Sequence, residues 1–202
     1  MKGVFNTVDT TKSLRTATAL GLALTVAFSN AAGVPSVSAY TVKSDVDSIR
    51  CEIGPYMDIS STSGISKDDF VYAMEHCKYD ANGVLADNAE FIWTECQEYE
   101  LNEFAICGIL AGESGWATSK LATSRHNVMS IRGSKGYKYF DSYEECIGYS
   151  IELIATRYID PEGTYYTGGV LMDIGYTYAG EDYGEDWAKL VSNCAYMCTE
   201  GL

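Results

Sequence analysis

Apolar positions in the middle of the chain recur with helical spacing. Leu101, Phe104, Ala105, Gly108, Ile109 and Gly112 fall at i, i+3, i+4, i+7, i+8 and i+11, the stripe of a helix that faces a core. Upstream, Phe70, Met74 and Cys77 repeat at the same spacing behind Ser66-Lys-Asp-Asp69, a capping-box pattern with Asp in place of Glu. Asp80-Ala-Asn-Gly83 reads as a turn. Leu85, Ala89, Ile92, Trp93 and Cys96 then predict a second helix, with Glu90, Thr94, Glu95 and Gln97 on its outer side. Residues 131–141 break the periodicity with two glycines and alternating aromatics, as a small hairpin does. Ser142-Tyr-Glu-Glu145 opens a further helix with Cys146, Tyr149, Leu153 and Ile154 inward, closed at Asp160-Pro161. After a Tyr- and Gly-rich stretch from Glu162 to Tyr183, Trp187, Leu190, Val191 and Cys194 mark a final helix. The fold class expected is α+β, mostly α, with a small β-hairpin lobe.

The N-terminal pattern is of another kind. Lys2, Lys12 and Arg15 precede an apolar run over residues 17–28, too short to span a bilayer and of the length of a signal peptide's central segment. Val37-Ser38-Ala39 supplies small residues for cleavage, and Asn30-Ala31-Ala32 an earlier alternative. Residues 1–39 are therefore expected to be a signal peptide, 40–64 a polar, extended leader, and 65–202 the functional domain of a secreted protein in the extracellular space or cell wall, with no stable membrane insertion after cleavage.

Composition narrows the partners. Of the 202 residues, 14 are Lys or Arg and 28 are Asp or Glu, a formal net charge of -14. That sign is wrong for phosphates and anionic headgroups, so nucleic acid is not an expected partner. The 16 tyrosines against 6 Phe and 3 Trp suit surfaces that meet sugars, since a phenol is flat, apolar and carries a hydroxyl. All 7 cysteines lie beyond the expected cleavage, and export to an oxidising compartment predicts disulfides. The odd number leaves one thiol over in a monomer or allows a disulfide dimer. Cys194 and Cys198, four apart on a helix, are too far apart to bridge. With no C-x-x-C and only His76 and His126 as histidines, neither a zinc site nor any other cofactor is expected.

Glu113 is the leading candidate for chemistry. It comes where the helical stripe ends, after Ile109-Leu110-Ala111 and three positions before Trp116. Desolvation against an indole and the negative end of a helix dipole both disfavour an ionised carboxyl, and a general acid must hold its proton until the leaving oxygen needs it. Thr118 and Ser119 have no histidine tied to them by a motif, and read as capping residues. Tyr165, Tyr166, Tyr176 and Tyr183 surround the Gly-rich segment and either line a groove or cover a loop.

Leu101-Asn-Glu-Phe-Ala-Ile-Cys-Gly-Ile-Leu-Ala-Gly-Glu-Ser-Gly-Trp-Ala-Thr-Ser-Lys-Leu-Ala122, with His126-Asn-Val-Met-Ser-Ile131, resembles the glucosaminidase domain of glycoside hydrolase family 73 over about residues 84–192. The resemblance implies a lysozyme-like fold and hydrolysis of the β-1,4 bond after N-acetylglucosamine in peptidoglycan glycan strands. It makes Glu113 the general acid and puts Asn127 to Ile131 at the mouth of the β lobe. Gly175-Tyr-Thr-Tyr-Ala179 with Trp187-Ala-Lys-Leu-Val191 resembles the family's ending, and Tyr178 matches the tyrosine beside the cleaved bond. Candidate sugar contacts are Trp116, His126, Asn127, Tyr176 and Tyr183. The Thr-Glu strand that carries a second carboxylate in many members is missing. Glu145 reads as the capping-box acid and Glu144 as a first-turn charge, which leaves Asp141 as a candidate base. The alternative is attack by the substrate's own acetamido group, oriented by Tyr178. Two rivals are a muramidase or lytic transglycosylase on the same fold, and a catalytically inactive glycan-binding module.

Overall fold

The computed structural model describes residues 46–202. The expected signal peptide and the first residues of the expected leader lie outside them. The described part of the leader is not uniformly extended: residues 46–52 are helical (α1), and the segment that follows enters the core through Met57 and Ile59. Asp58 forms an antiparallel bridge with Val170, with Ile59 N–H donating to the Gly169 carbonyl at 2.9 Å and Leu171 N–H to that of Met57 at 3.0 Å. Two buried apolar side chains, Met57 and Ile59, tie this stretch down, which a reading of its average polarity overlooks.

Helix α2 (Lys67–Glu75) begins where the pattern predicts, with the Ser66 hydroxyl accepting from Asp69 N–H. The predicted second helix is two: α3 (Val84–Asp87) and α4 (Ala89–Glu98), broken at Asn88. The break follows from side-chain competition for backbone groups. Asp80 Oδ2 caps the start of α3, accepting from Leu85 and Ala86 N–H at 2.8 and 2.9 Å, and at the break Asn88 Nδ2 donates to the Val84 carbonyl at 2.7 Å while its backbone N–H donates to that of Leu85 at 3.3 Å.

Helix α5 (Glu103–Ser114) is the predicted core helix; every residue from Glu103 to Ala111 is buried. A short α6 (Lys120–Arg125) follows, then a two-stranded antiparallel sheet, β1 (Arg132–Gly133) and β2 (Gly136–Tyr137), in register Arg132↔Tyr137 and Gly133↔Gly136. Helix α7 (Tyr143–Ile154) runs on into a π-helical turn, Ala155–Ile159, that stops at Asp160. Helix α8 (Leu171–Ala179) occupies the Tyr- and Gly-rich stretch, and α9 (Gly184–Cys198) ends in a 3₁₀ turn, Thr199–Gly201. The molecule is thus mostly helical with one small antiparallel sheet.

Two glycine contacts set how α5, α8 and α9 sit. A Cβ on Gly108 of α5 would stand 2.5 Å from the Val191 carbonyl and 2.9 Å from Ala195 Cβ on α9. A Cβ on Gly175 of α8 would stand 2.5 Å from the Gly184 carbonyl at the start of α9. These close approaches bring the end of α5, the first turn of α9 and the end of α8 to one place.

Candidate active site

Glu113 is the next-to-last residue of α5, and the chain turns sharply just beyond it. Gly115, Trp116 and Ala117 all have positive φ, at 58°, 56° and 56°. A left-handed non-glycine residue costs about 1–2 kcal/mol, so the turn needs support, and Ser114 gives it. Its hydroxyl donates to the Leu110 carbonyl at 2.6 Å and accepts from Ala117 N–H at 2.7 Å, while its carbonyl accepts from Ser119 N–H at 2.9 Å. The helix therefore ends abruptly, with the Glu113 side chain half-buried at its tip.

Two other helices approach that carboxyl. Trp187, in the first turn of α9 and 9% exposed, donates from Nε1 to Glu113 Oε1 at 2.7 Å. Tyr178, from the last turn of α8, lies near enough to the same carboxyl for its phenol to feel that charge. The Tyr178 and Trp187 rings lie 5.2 Å apart, and the row continues through Tyr158 at 6.0 Å from Tyr178 to Tyr165, 5.1 Å further on. Burial, followed by the negative charge of Glu113, pushes the Tyr178 phenol well above its usual range. Tyr178 thus keeps its proton throughout neutral and mildly alkaline pH. The Glu113 carboxyl is thus fixed by an indole N–H against a wall of aromatic rings.

The remaining predicted residues are distributed unevenly around this centre. Asp141 is exposed ahead of α7, where its backbone N–H donates to Glu145 Oε2 at 2.7 Å; no hydrogen bond joins it to Glu113. Glu145 is therefore the capping acid, reaching back one residue beyond the Ser142 cap, whose hydroxyl accepts from Glu145 N–H at 3.1 Å. Trp116 is half-buried against the core and stacks on Tyr79 at 5.6 Å between centroids, the packing role. His126 ends α6 with a φ of 51°, its Nδ1 2.9 Å from the Phe140 carbonyl and its ring edge-on to Tyr143. Asn127 is 1% exposed. Its amide donates to the Ile131 and Lys138 carbonyls at 2.9 and 3.0 Å and accepts from Ile131 N–H at 2.8 Å. With its polar atoms used internally, Asn127 shapes the hairpin and does not reach a ligand. Tyr176 and Tyr183 are exposed, at 44% and 69%, near the start of α9 and free to meet one.

Trp187 is the contact of Glu113 that pattern reading missed. Its periodicity marks it as a core position, which it is, but a buried indole N–H also needs an acceptor. That requirement was the available signal, and the carboxyl at the end of α5 meets it. Behind Tyr178 and Trp187 lies an apolar cavity of about 10 Å³, bordered by Ile109, Met129 and Ile174. A larger concavity of about 750 Å³ lies elsewhere, between Gln97–Glu100, the π-helical turn and Tyr166, and includes neither Glu113 nor its partners. Among the described residues no group of three or more His, Cys, Asp or Glu side chains is arranged to hold a metal ion, and no helix is long and apolar enough to cross a membrane. No protein-family model matches this chain, and no curated protein matches it.

Proposed function

We propose that this protein is a secreted peptidoglycan hydrolase that cleaves the β-1,4 bond after N-acetylglucosamine, with Glu113 as general acid. The observation that carries the reading is the Glu113 carboxyl at the end of the core helix, hydrogen-bonded by the Trp187 indole with the Tyr178 ring packed beside that indole. The resemblance of residues 101–131 to the family 73 glucosaminidases, and the lysozyme-like fold that it implies, support it from the sequence side.

Asp141 is exposed and unconnected to Glu113, so the arrangement favours the substrate-assisted route. Glu113 gives its proton to the departing glycosidic oxygen while the acetamido carbonyl oxygen of the same sugar attacks the anomeric carbon and closes an oxazolinium ring. Water then opens that ring, losing a proton to Glu113 and restoring the acid. Tyr178 remains protonated and donates to the acetamido group to hold it for attack.

The decisive experiment is digestion of purified cell wall by wild type and by Glu113→Gln. The amide oxygen of Gln can still accept from Trp187, so the variant is expected to fold and bind glycan while losing turnover by about 100-fold or more. Mass spectrometry of the products is expected to find reducing N-acetylglucosamine ends. Reducing or anhydro muramic acid would indicate the muramidase or transglycosylase chemistry, and binding without any new ends a glycan-binding module. Undiminished hydrolysis by the variant removes Glu113 from the mechanism.

A further inference from the structure

Six of the seven cysteines are buried, and three of them meet at one point. Cys198, the last residue of α9, lies beside both Cys77, just past α2, and Cys107 on α5, near enough for the thiols to perturb one another. The backbone around the first of these pairs is fixed by several independent contacts. Cys77 Sγ donates to the Met197 carbonyl at 3.8 Å, next to Cys198 itself. One residue past Cys77 and two past Cys198, Lys78 Nζ pairs with Glu200 at 2.6 Å. Arg50 Nη2 donates to the Thr199 carbonyl at 2.6 Å, and its Nε to the Thr199 hydroxyl at 3.1 Å. Gly201 lies so close to the Ala73 carbonyl that a Cβ would collide with it. The end of the chain is thus laid against α2 on both sides of the thiol pair.

From this geometry we infer that Cys77 and Cys198 are a disulfide-forming pair that staples the end of α9 to the end of α2, with Cys107 as the thiol left beside it. Cys77 is the partner chosen over Cys107 for two reasons. Its segment is bonded to residues 197 and 200, on either side of Cys198. It is also 6% exposed, where a dissolved oxidant reaches it, whereas Cys107 and Cys198 are 0% exposed. The inference stands apart from the glycosidase reading and needs only the fold.

The oxidant is a small-molecule disulfide. Cys77 loses its proton and attacks one sulfur of that disulfide, releasing one small thiol and forming a mixed disulfide at Cys77. Cys198 then loses its proton and displaces the second small thiol. Two protein S–H bonds are broken, one S–S bond forms, and the oxidant is reduced to two thiols. Because the thiolate is the attacking species and these thiols are held protonated, exchange in the folded protein is slow at neutral pH and faster as pH rises.

The test uses the full chain and a glutathione redox buffer, with oxidised glutathione as the probe. Non-reducing peptide mapping, with a cleavage after Tyr196 to separate Cys194 from Cys198, is expected to recover the segment around Cys77 joined to that around Cys198. The intact mass should fall by about 2 Da, since two hydrogens leave. The thermal midpoint is expected to rise by about 10 °C and to return on reduction, because the bond closes most of the chain into a loop. Cys107→Ala is expected to keep the cross-link. Recovery of Cys198 as a free thiol, or joined to Cys107, Cys194 or any other cysteine, overturns the assignment.

Discussion

The indole N–H of Trp187 reaches Glu113 over 2.7 Å from a largely buried position, so Trp187→Phe removes that donor while keeping an aromatic ring against Tyr178. A hydrogen bond to a charged group contributes about 1.5–3 kcal/mol. On the proposed mechanism, the expected loss is therefore roughly 10- to 100-fold in kcat on cell-wall glycan with little change in KM. An unchanged kcat would mean that the indole only packs. Glu113 and Tyr178 were legible in the sequence, one because a carboxylate closing an apolar helix is unusual and the other through a family resemblance. Trp187 was not, because an amphipathic pattern reports which face is buried and not what a buried polar atom bonds to. Asn127 went the opposite way: its position beside the hairpin suggested a ligand contact, yet its amide is spent on Ile131 and Lys138. Short-range spacing cannot separate those two fates for a buried amide.

At the level of elements, the site exists because α5 and α9 approach closely, and two glycines on α5 separate the causes of that approach. Replacing helical Gly by Ala gains up to about 1 kcal/mol in propensity. At Gly108 the added Cβ would meet the Val191 carbonyl at 2.5 Å, and overpacking of this kind costs about 1–3 kcal/mol. At Gly112 the nearest neighbour would be Val191 Cγ2 at 3.6 Å, an ordinary contact. Urea unfolding should therefore place Gly108→Ala below wild type by about 1–2 kcal/mol and Gly112→Ala level with it or slightly above. Equal effects would rule out close packing as the reason for Gly108. The caps that set helix starts, Ser66 and Ser142, could be read in advance because a cap is a local bond between neighbouring residues. Helix α8 could not: its Gly175 and run of tyrosines read as loop, and the glycine is there to admit the Gly184 carbonyl of the next helix. The break at Asn88 escaped for the same reason in reverse, since Asn88 redirects backbone bonds that apolar spacing does not record.

For the molecule as a whole, the buried thiols make a prediction about alkaline pH. Burial holds the thiols of Cys96, Cys146 and Cys194 above their usual range. The neighbouring Cys198 thiol, reinforced by burial, does so for Cys77, and the neighbouring Cys107 thiol does so for Cys198. An unfolded cysteine titrates near pH 8.5, so above that pH the unfolded chain has released protons that the native state still holds. Unfolded then binds fewer protons than native, and the stability falls as pH rises, each thiol contributing up to about 1.4 kcal/mol per pH unit. Tyr178 adds to the same slope above about pH 10. The net charge of -14 also opposes compactness as more acid groups ionise, but that repulsion is screened by salt, whereas proton release from buried thiols is not. The urea midpoint is expected to hold near neutrality and to drop steeply between pH 8.5 and 10, with most of the drop surviving in 0.5 M salt. Because a disulfide does not titrate, chain oxidised at Cys77 and Cys198 should show a shallower decline than reduced chain. A reduced protein whose stability is flat to pH 10 would mean that its buried thiols do not bind protons more tightly than they do in the unfolded state.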